Sequence, residues 1–349
     1  MSDEWGLLIT HHLLLERSRM DKKYDVVCWG DAALRLTPPN FERLEQATML
    51  EMSVGGSELS CSVGLARLGL RSAWFGKLPD NALGRKVVTL TRAHGVDMSH
   101  VSWTPNSRLG IYYVEMGASP RPSETVYDRQ HCATTTMRPS DWDLEALLSS
   151  TRVLHSSGIT PALGPNPRET MEVALKLSRE LGVINSFDFN FRFRLWSAEE
   201  ARAYLSRVFP LLDILITTSD DLDLVFGLKG TPEENAAWMK KEFGIGIVAV
   251  TIREAPTVLR GKWRSIALAD RLYKGRVTEL ELIDRVGSGD AHAAGFLYGY
   301  LVENDLQRAV EIGDAMSVLK HSIPKDFAYF TKEEVLRFAS SSGGTKILR

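Results

Sequence analysis

Short apolar runs and amphipathic stretches take turns along this chain, each about the length of one strand or one helix. Asp25-Val26-Val27-Cys28-Trp29-Gly30 is an apolar run ending in Gly-Asp, as a buried strand does. The pair Gly55-Gly56 precedes a small-residue helix from Leu59 to Leu68, closed by Gly69. Arg71 to Phe75 predicts a strand, and Gly84 to His94 a helix closed by Gly95. Then the rhythm breaks. Leu109 to Glu115 and Glu124 to Arg129 are β-rich runs flanking a Gly/Pro/Ser turn region, which predicts a hairpin outside the alternation and a candidate lid. Alternation resumes with strands Val153 to Ser157, Val183 to Phe189, Ile214 to Thr217 and Gly246 to Ile252. Helices Arg168 to Leu181, Ala198 to Phe209 and Glu233 to Phe243 separate them, and helices Leu306 to Lys320 and Lys332 to Ala339 follow. Repeated strand–helix units predict an α/β fold with a mainly parallel sheet covered by helices, where sites gather at the carboxyl ends of strands.

The chemistry concentrates in Asp284-Arg285-Val286-Gly287-Ser288-Gly289-Asp290. Upstream, Val277 to Ile283 alternates in part and reads as a buried strand; downstream, Ala291 to Leu301 is a small-residue helix that can pack closely on its neighbours. Two glycines just before a helix let backbone N–H groups converge where the helix dipole is positive, a geometry that suits a phosphate. Asp290 at the same helix start places a carboxylate beside that anion site, able to take a proton from an attacking hydroxyl. An ordinary turn with aspartate as N-cap uses the same residues, so the rest of the chain decides.

At 349 residues there is room for one large α/β domain or two smaller ones, and no repeat, low-complexity tract or composition break marks a second. Hydrophobic content of 44% and charged content of 25% are ordinary for a soluble enzyme. A net charge of −2 gives no electrostatic case for nucleic acid or an anionic membrane as partner. Cys28, Cys61 and Cys132 are odd in number and widely spaced, which suggests neither a disulfide framework nor a zinc site and makes a reducing cytoplasm the default. No apolar run approaches the roughly 20 residues of a membrane span. In Met1 to Lys23, Leu7-Leu8-Ile9 and Leu13-Leu14-Leu15 are interrupted by His11-His12 without the order of a signal peptide. The stretch reads as an extension ahead of the fold, with Met20 as an alternative start; a genuine amphipathic helix is the other reading.

From Tyr24 to Arg349 these features together resemble the ribokinase-like (PfkB) sugar kinases. The family's Asp-Thr-x-Gly-Ala-Gly-Asp signature stands here as Asp284 to Asp290, and its early Gly-Gly pair as Gly55-Gly56. Within the family the chain is similar to the 2-keto-3-deoxygluconate kinase branch. Asp188-Phe189-Asn190-Phe191-Arg192 with Leu195-Trp196, Tyr127-Asp128-Arg129, Ser157 to Leu163, Val250 to Glu254, Arg285, and Leu319 to Phe327 carry that likeness. The resemblance implies a three-layer α/β/α sandwich with a mainly parallel central sheet and a small β-sheet lid, the lid strands falling at approximately 31–52 and 106–133 of a domain spanning residues 24–349.

It further implies ATP-dependent phosphorylation of a sugar acid, 2-keto-3-deoxygluconate to its 6-phosphate. Asp290 would be the general base, and the amides of Gly287, Ser288 and Gly289 would stabilise charge on the transferring group. Substrate would be held by Gly55, Gly56, Tyr112, Tyr127, Arg129 and Arg192, the arginines gripping the carboxylate through planar forks. ATP would be met by Asn190, Arg192, Ser219, Thr251, Arg253, Gly287 and Gly289, its purine between the segment after Thr251 and the helix Leu306 to Lys320. Magnesium is implied, with Asp221 standing for the Glu of the family's Asn-x-x-Glu stretch, here Thr218-Ser219-Asp220-Asp221; a monovalent cation is a further candidate. Dimerisation through the lid is implied as well, since a two-stranded hairpin leaves open edges. Ser60 stands where an Asn is frequent and His292 where a Phe is usual, the latter read as a packing residue. Two readings compete: a kinase for a neutral sugar, against which two pocket arginines argue, and a sugar-binding protein that kept the fold and lost catalysis.

Overall fold

The computed structural model describes residues 22–341, so the segment Met1 to Lys23 lies, but for its last two residues, outside the described residues. In chain order the strands are β1 Tyr24–Trp29, β2 Ala33–Thr37, β3 Glu51–Gly55, β4 Ser72–Pro79, β5 Val101–Thr104, β6 Gly110–Glu115, β7 Glu124–Asp128, β8 Thr151–Ser157, β9 Ile184–Asp188, β10 Ile214–Thr218, β11 Ile247–Thr257, β12 Arg260–Leu268, β13 Leu272–Lys274 and β14 Thr278–Glu281. They make two sheets. The larger runs β13-β12-β11-β10-β9-β8-β1-β4-β5, with β14 on β12. Every pairing from β5 to β11 is parallel, while β12, β13 and β14 join antiparallel.

Burial on both faces explains the unbroken apolar runs. Along β1, Val26 and Cys28 enter one core while Tyr24, Val27 and Trp29 enter the other. Helices Ser57–Arg67, Ser288–Tyr298 and Leu306–His321 cover the first face, through residues such as Leu59, Phe296 and Ile312. Helices Pro165–Glu180, Ala198–Val208 and Pro232–Phe243 cover the second, through Leu175, Leu205 and Met239. The result is an α/β/α sandwich with a mainly parallel centre. Small residues set the spacing within the first layer: a Cβ at Gly295 would collide with the backbone of Ile312.

Two expectations change. Val277 to Ile283 is no buried strand: β14 is a four-residue margin strand in which only Leu280 is buried, and Val277 and Ile283 stay exposed because one face alone meets the protein. The helix Ser219–Phe226 and the strand β12 went unpredicted; the helix begins where Thr218 Oγ1 accepts from the Asp221 N–H (3.0 Å), a cap inside a stretch read only for its acids.

The expected hairpin, β6 with β7, belongs to a second, mixed sheet ordered β3-β2-β6-β7. Arg35, Tyr112 and Tyr127 are register neighbours on one face. On the other, Met52, Leu36, Tyr113 and Val126 form an apolar row across all four strands.

Candidate active site

A cleft of about 800 Å³ opens between the lid and the carboxyl ends of β9, β10 and β11. The expected residues Gly56, Tyr112, Tyr127, Arg129, Asn190, Arg192, Ser219, Asp221, Thr251, Arg253, Gly287, Ser288, Gly289 and Asp290 all line it. Gly55 stands just behind that lining. A Cβ there would strike the Tyr112 hydroxyl and the Asp326 carboxylate, so this glycine makes room for protein rather than for a ligand. Gly56, at φ +145°, lies against the Asp31 carbonyl, and a side chain there would collide with it.

At one end, Gly287 (φ +84°) caps the helix Ser288–Tyr298 and packs on the Asp326 backbone. Asp284 shapes the loop: its Oδ1 accepts the Val286 N–H (3.0 Å), its Oδ2 the Lys325 N–H (3.0 Å), and Arg35 pairs with it at 2.6 Å. Ser288 Oγ donates to the Arg285 carbonyl (2.8 Å), so this hydroxyl is spent within the loop. Gly289 differs from Gly287: a Cβ there would meet nothing within 4 Å, and the space it would enter belongs to the cleft. Arg253 and Arg285 both line this end with no ion pair among the described residues; burial and then the Arg285 charge depress the Arg253 guanidinium. Two mutually repelling guanidiniums beside a helix N-terminus make an anion site. The helix Leu306–His321, expected beside a purine, contributes no residue to this cleft, where Trp263, held by Asp314 (2.8 Å) and packed on His321, forms part of the wall. Gln307, Glu311, Asp314 and Ala315 of that helix line a separate cavity of about 430 Å³ with Lys274, Gly275 and Arg276.

At the centre stands Asp290. Ser57 Oγ donates to its Oδ1 (2.6 Å), and Asn190 Nδ2 donates to Ser57 Oγ (3.0 Å) and to Asp188 Oδ2 (3.4 Å). Burial and the Asp188 charge raise the Asp290 carboxyl well above the usual carboxylate range, against the Ser57 hydrogen bond. Asp188, below Asn190, is pushed up to about 7, by burial and then by Asp221. Asp221 is pushed up to about 6 by burial, and Arg192 draws it back. Acids that resist ionisation while facing a cleft are suited to accept a proton or to meet a cation.

The lid supplies the opposite wall. Arg129 lies over both the Tyr112 and Tyr127 rings, 5.2 and 4.8 Å from their centroids, and pairs with Asp31 at 3.1 Å while its Nε is buried without a partner among the described residues. The Tyr112 hydroxyl donates to Asp326, so the ring rather than the hydroxyl is offered to the cleft. Among the described residues Arg192 makes no salt bridge, and its one hydrogen bond goes to the Phe191 carbonyl at 3.4 Å, which leaves its fork open. His292 is wholly buried, paired with Ser265 (3.0 Å) and pushed down to about 3 by burial, as befits a packing residue. Among the described residues no three acid, histidine or cysteine side chains converge on a metal position.

Sequence reasoning gave no site role to Ser57, Asp188, Arg285, Asp326 or Arg35. Ser57 follows the Gly-Gly pair, Asp188 opens the Asp-x-Asn stretch and Arg285 sits inside the heptad, so each had a local signal. Arg35 had none, and Asp326 lay within the Leu319 to Phe327 stretch that was read only for its likeness; folding alone brings the two together, at 3.2 Å.

Residues 23–322 match the pfkB family of carbohydrate kinases. A 2-dehydro-3-deoxygalactonokinase of Haloferax volcanii is 35% identical over 313 residues, covering 90% of this chain and 96% of that protein. A 5-dehydro-2-deoxygluconokinase of Clostridium perfringens is 30% identical, covering 87% and 90%. The crystal structure of a 2-dehydro-3-deoxygluconokinase from Thermotoga maritima superposes with a TM-score of 0.87 at 35% identity, over 90% of this chain and 98% of that one.

Proposed function

The chain belongs to the PfkB family of carbohydrate kinases, as one of the 2-dehydro-3-deoxy-gluconate/galactonate kinase type, and from that premise we propose that it phosphorylates 2-keto-3-deoxygluconate on its 6-hydroxyl. One observation carries the reading: a single cleft is lined by the glycine-rich helix start, by Asp290 with its carboxyl raised above the usual range, and by Arg192, which makes no ion pair among the described residues. The 6-oxygen attacks the γ-phosphorus, the bond to the ADP oxygen breaks, and Asp290 takes the hydroxyl proton. Amides at Gly287, Ser288 and Gly289 stabilise the transferring group, with Arg253 and Arg285 offsetting phosphate charge. Ser219, the first residue of the helix after β10, and Thr251, within β11, line the cleft and would meet the nucleotide. The sugar-acid carboxylate meets Arg192, with Arg129 and the two lid tyrosines against the carbon chain.

PfkB kinases use ATP with Mg2+. The residues here fit such an ion: Asp221 is a hard oxygen donor whose charge is held back by burial, and a single protein carboxylate is usual for Mg2+ that keeps waters and phosphate oxygens. Asp221 would hold it, and the ion would neutralise charge between the β- and γ-phosphates.

The test is ADP release with magnesium present, over 2-keto-3-deoxygluconate, its galactonate epimer, fructose and ribose. Turnover of the sugar acids with neglect of the neutral sugars is expected. Arg192→Ala should weaken sugar-acid affinity by on the order of 10²-fold and leave neutral-sugar affinity nearly alone; equal losses would favour the neutral-sugar reading. The galactonate epimer is the second reading, supported by the identity to the Haloferax kinase. A homodimer through the lid is proposed as well, supported by the apolar row Met52, Leu36, Tyr113 and Val126 and by exposed Phe41 and Met49 beside it.

A further inference from the structure

We propose that Ser57 is a positioning residue for the base: oriented by Asn190, its hydroxyl holds Asp290 Oδ1 and leaves Oδ2 to accept the substrate proton. The inference rests on the reading of Asp290 as general base but adds a residue and a mechanism to it.

A serine hydroxyl has one hydrogen to give, and its neighbours decide where it goes. Asn190 Nδ2 lies 3.0 Å from Ser57 Oγ and 3.4 Å from Asp188 Oδ2. An amide nitrogen suits that position, because a carbonyl oxygen there would face the Asp188 oxygen. Asn190 therefore donates to Ser57, which fills an acceptor site on Oγ and turns the hydroxyl hydrogen toward Asp290, 2.6 Å away. Backbone geometry supports the chain of bonds. Asn190 is held at φ +42°, a left-handed conformation that asparagine tolerates better than most residues. Ser57 is the first residue of the helix Ser57–Arg67, directly after Gly56. Asp290 Oδ2 makes no hydrogen bond to the described residues, so the two oxygens are unequal: one is anchored, the other is free.

Four charged groups face Asp290: Asp188 and Asp326 oppose its ionisation, and Arg192 and Lys320 favour it. The Ser57 hydrogen bond is, among the described residues, the one directional side-chain contact to Asp290, and it favours the ionised form. Removing it should leave less carboxylate at any given pH.

The experiment uses the full chain with 13C-labelled aspartate carboxyls, without substrate. The Asp290 signal is assigned by its loss in Asp290→Asn, and its titration is followed in wild type, Ser57→Ala, Ser57→Thr and Asn190→Ala. Ser57→Ala should raise the midpoint by about one pH unit. Asn190→Ala, which keeps the serine but frees its rotor, should raise it by less, and Ser57→Thr should return it toward wild type. In parallel, the wild-type-to-Ser57→Ala ratio of kcat/KM should grow about tenfold from the alkaline to the acid side of the profile. An unmoved midpoint in both Ser57→Ala and Asn190→Ala overturns the proposal, as does a threonine variant indistinguishable from alanine. Undiminished phosphoryl transfer by Asp290→Asn would instead overturn the reading of the base, while the carboxyl titration would still decide whether Ser57 anchors Asp290.

Discussion

Two glycines two positions apart in one loop do different work. Gly287 sits at φ +84° with the Asp326 carbonyl where its side chain would be, whereas Gly289 has only the cleft beside it. Gly287→Ala should therefore lose about 1–3 kcal/mol of stability through strain and collision, visible as a lower urea midpoint. Gly289→Ala should unfold at the wild-type midpoint yet lose at least about tenfold in kcat/KM, since its methyl group enters the place of the transferring phosphate. A destabilised Gly289→Ala of normal activity would contradict the placement of the phosphate. The same contrast holds for the early pair, where Gly55 yields to Tyr112 and Asp326 and only Gly56 borders the cleft.

Among the elements, the lid is tied to the phosphate loop from inside. Arg35, on β2, reaches Asp284 at 2.6 Å and Asp326 at 3.2 Å, and Tyr112 on the neighbouring β6 donates to the same Asp326. Two buried carboxylates thus share a buried guanidinium that they hold charged, and this junction joins lid, signature loop and the segment after the helix Leu306–His321. A fixed inner face leaves the outer one for association. Val126→Arg places a charge in the middle of the row Met52-Leu36-Tyr113-Val126 without touching the cleft face of β7. Light scattering should show a dimer in wild type and monomer in this variant, at unchanged Tm; a wild-type monomer would remove the proposed contact.

On the scale of the whole molecule, acids without full compensation set the response to pH. Glu58, buried with one oxygen unpartnered, and Asp188 are each pushed up to about 7 by burial. Native protein then keeps protons that the unfolded chain has released, so their stabilisation is complete below the ordinary carboxylate range and fades as pH rises through 7. His292 and His321, pushed down to about 3 and about 4, act in the opposite sense, but their effect is complete above the ordinary histidine value of 6.5. From pH 6.5 to 7.5 the loss from the acids is opposed by a histidine contribution that dies away as the unfolded imidazoles give up their last protons. Ligand-free protein should lose about 1 kcal/mol per pH unit for each acid still holding its proton, and Glu58→Gln should flatten that slope in thermal melts. Asp290, raised further, keeps part of the slope; a slope changed by neither Glu58→Gln nor Asp188→Asn would refute the assignment.

Periodicity and turn chemistry are local, and what depended on them was legible in the chain: the strand–helix alternation, the hairpin β6–β7, the small-residue helix behind Asp290 and the glycine heptad itself. Charged residues with recognisable neighbours, such as Arg192 and Asp221, were legible too. Long-range pairing was not. That β2 runs parallel to β6 and so turns a hairpin into a four-stranded lid, that Trp263 lines the cleft while bonded to Asp314, and that Arg35 meets Asp326 across 291 positions depend on sheet order and packing. The order of residues determined which groups exist and in what local geometry; only the closed fold decided which of them face one another, because burial and electrostatic pairing belong to space rather than to sequence.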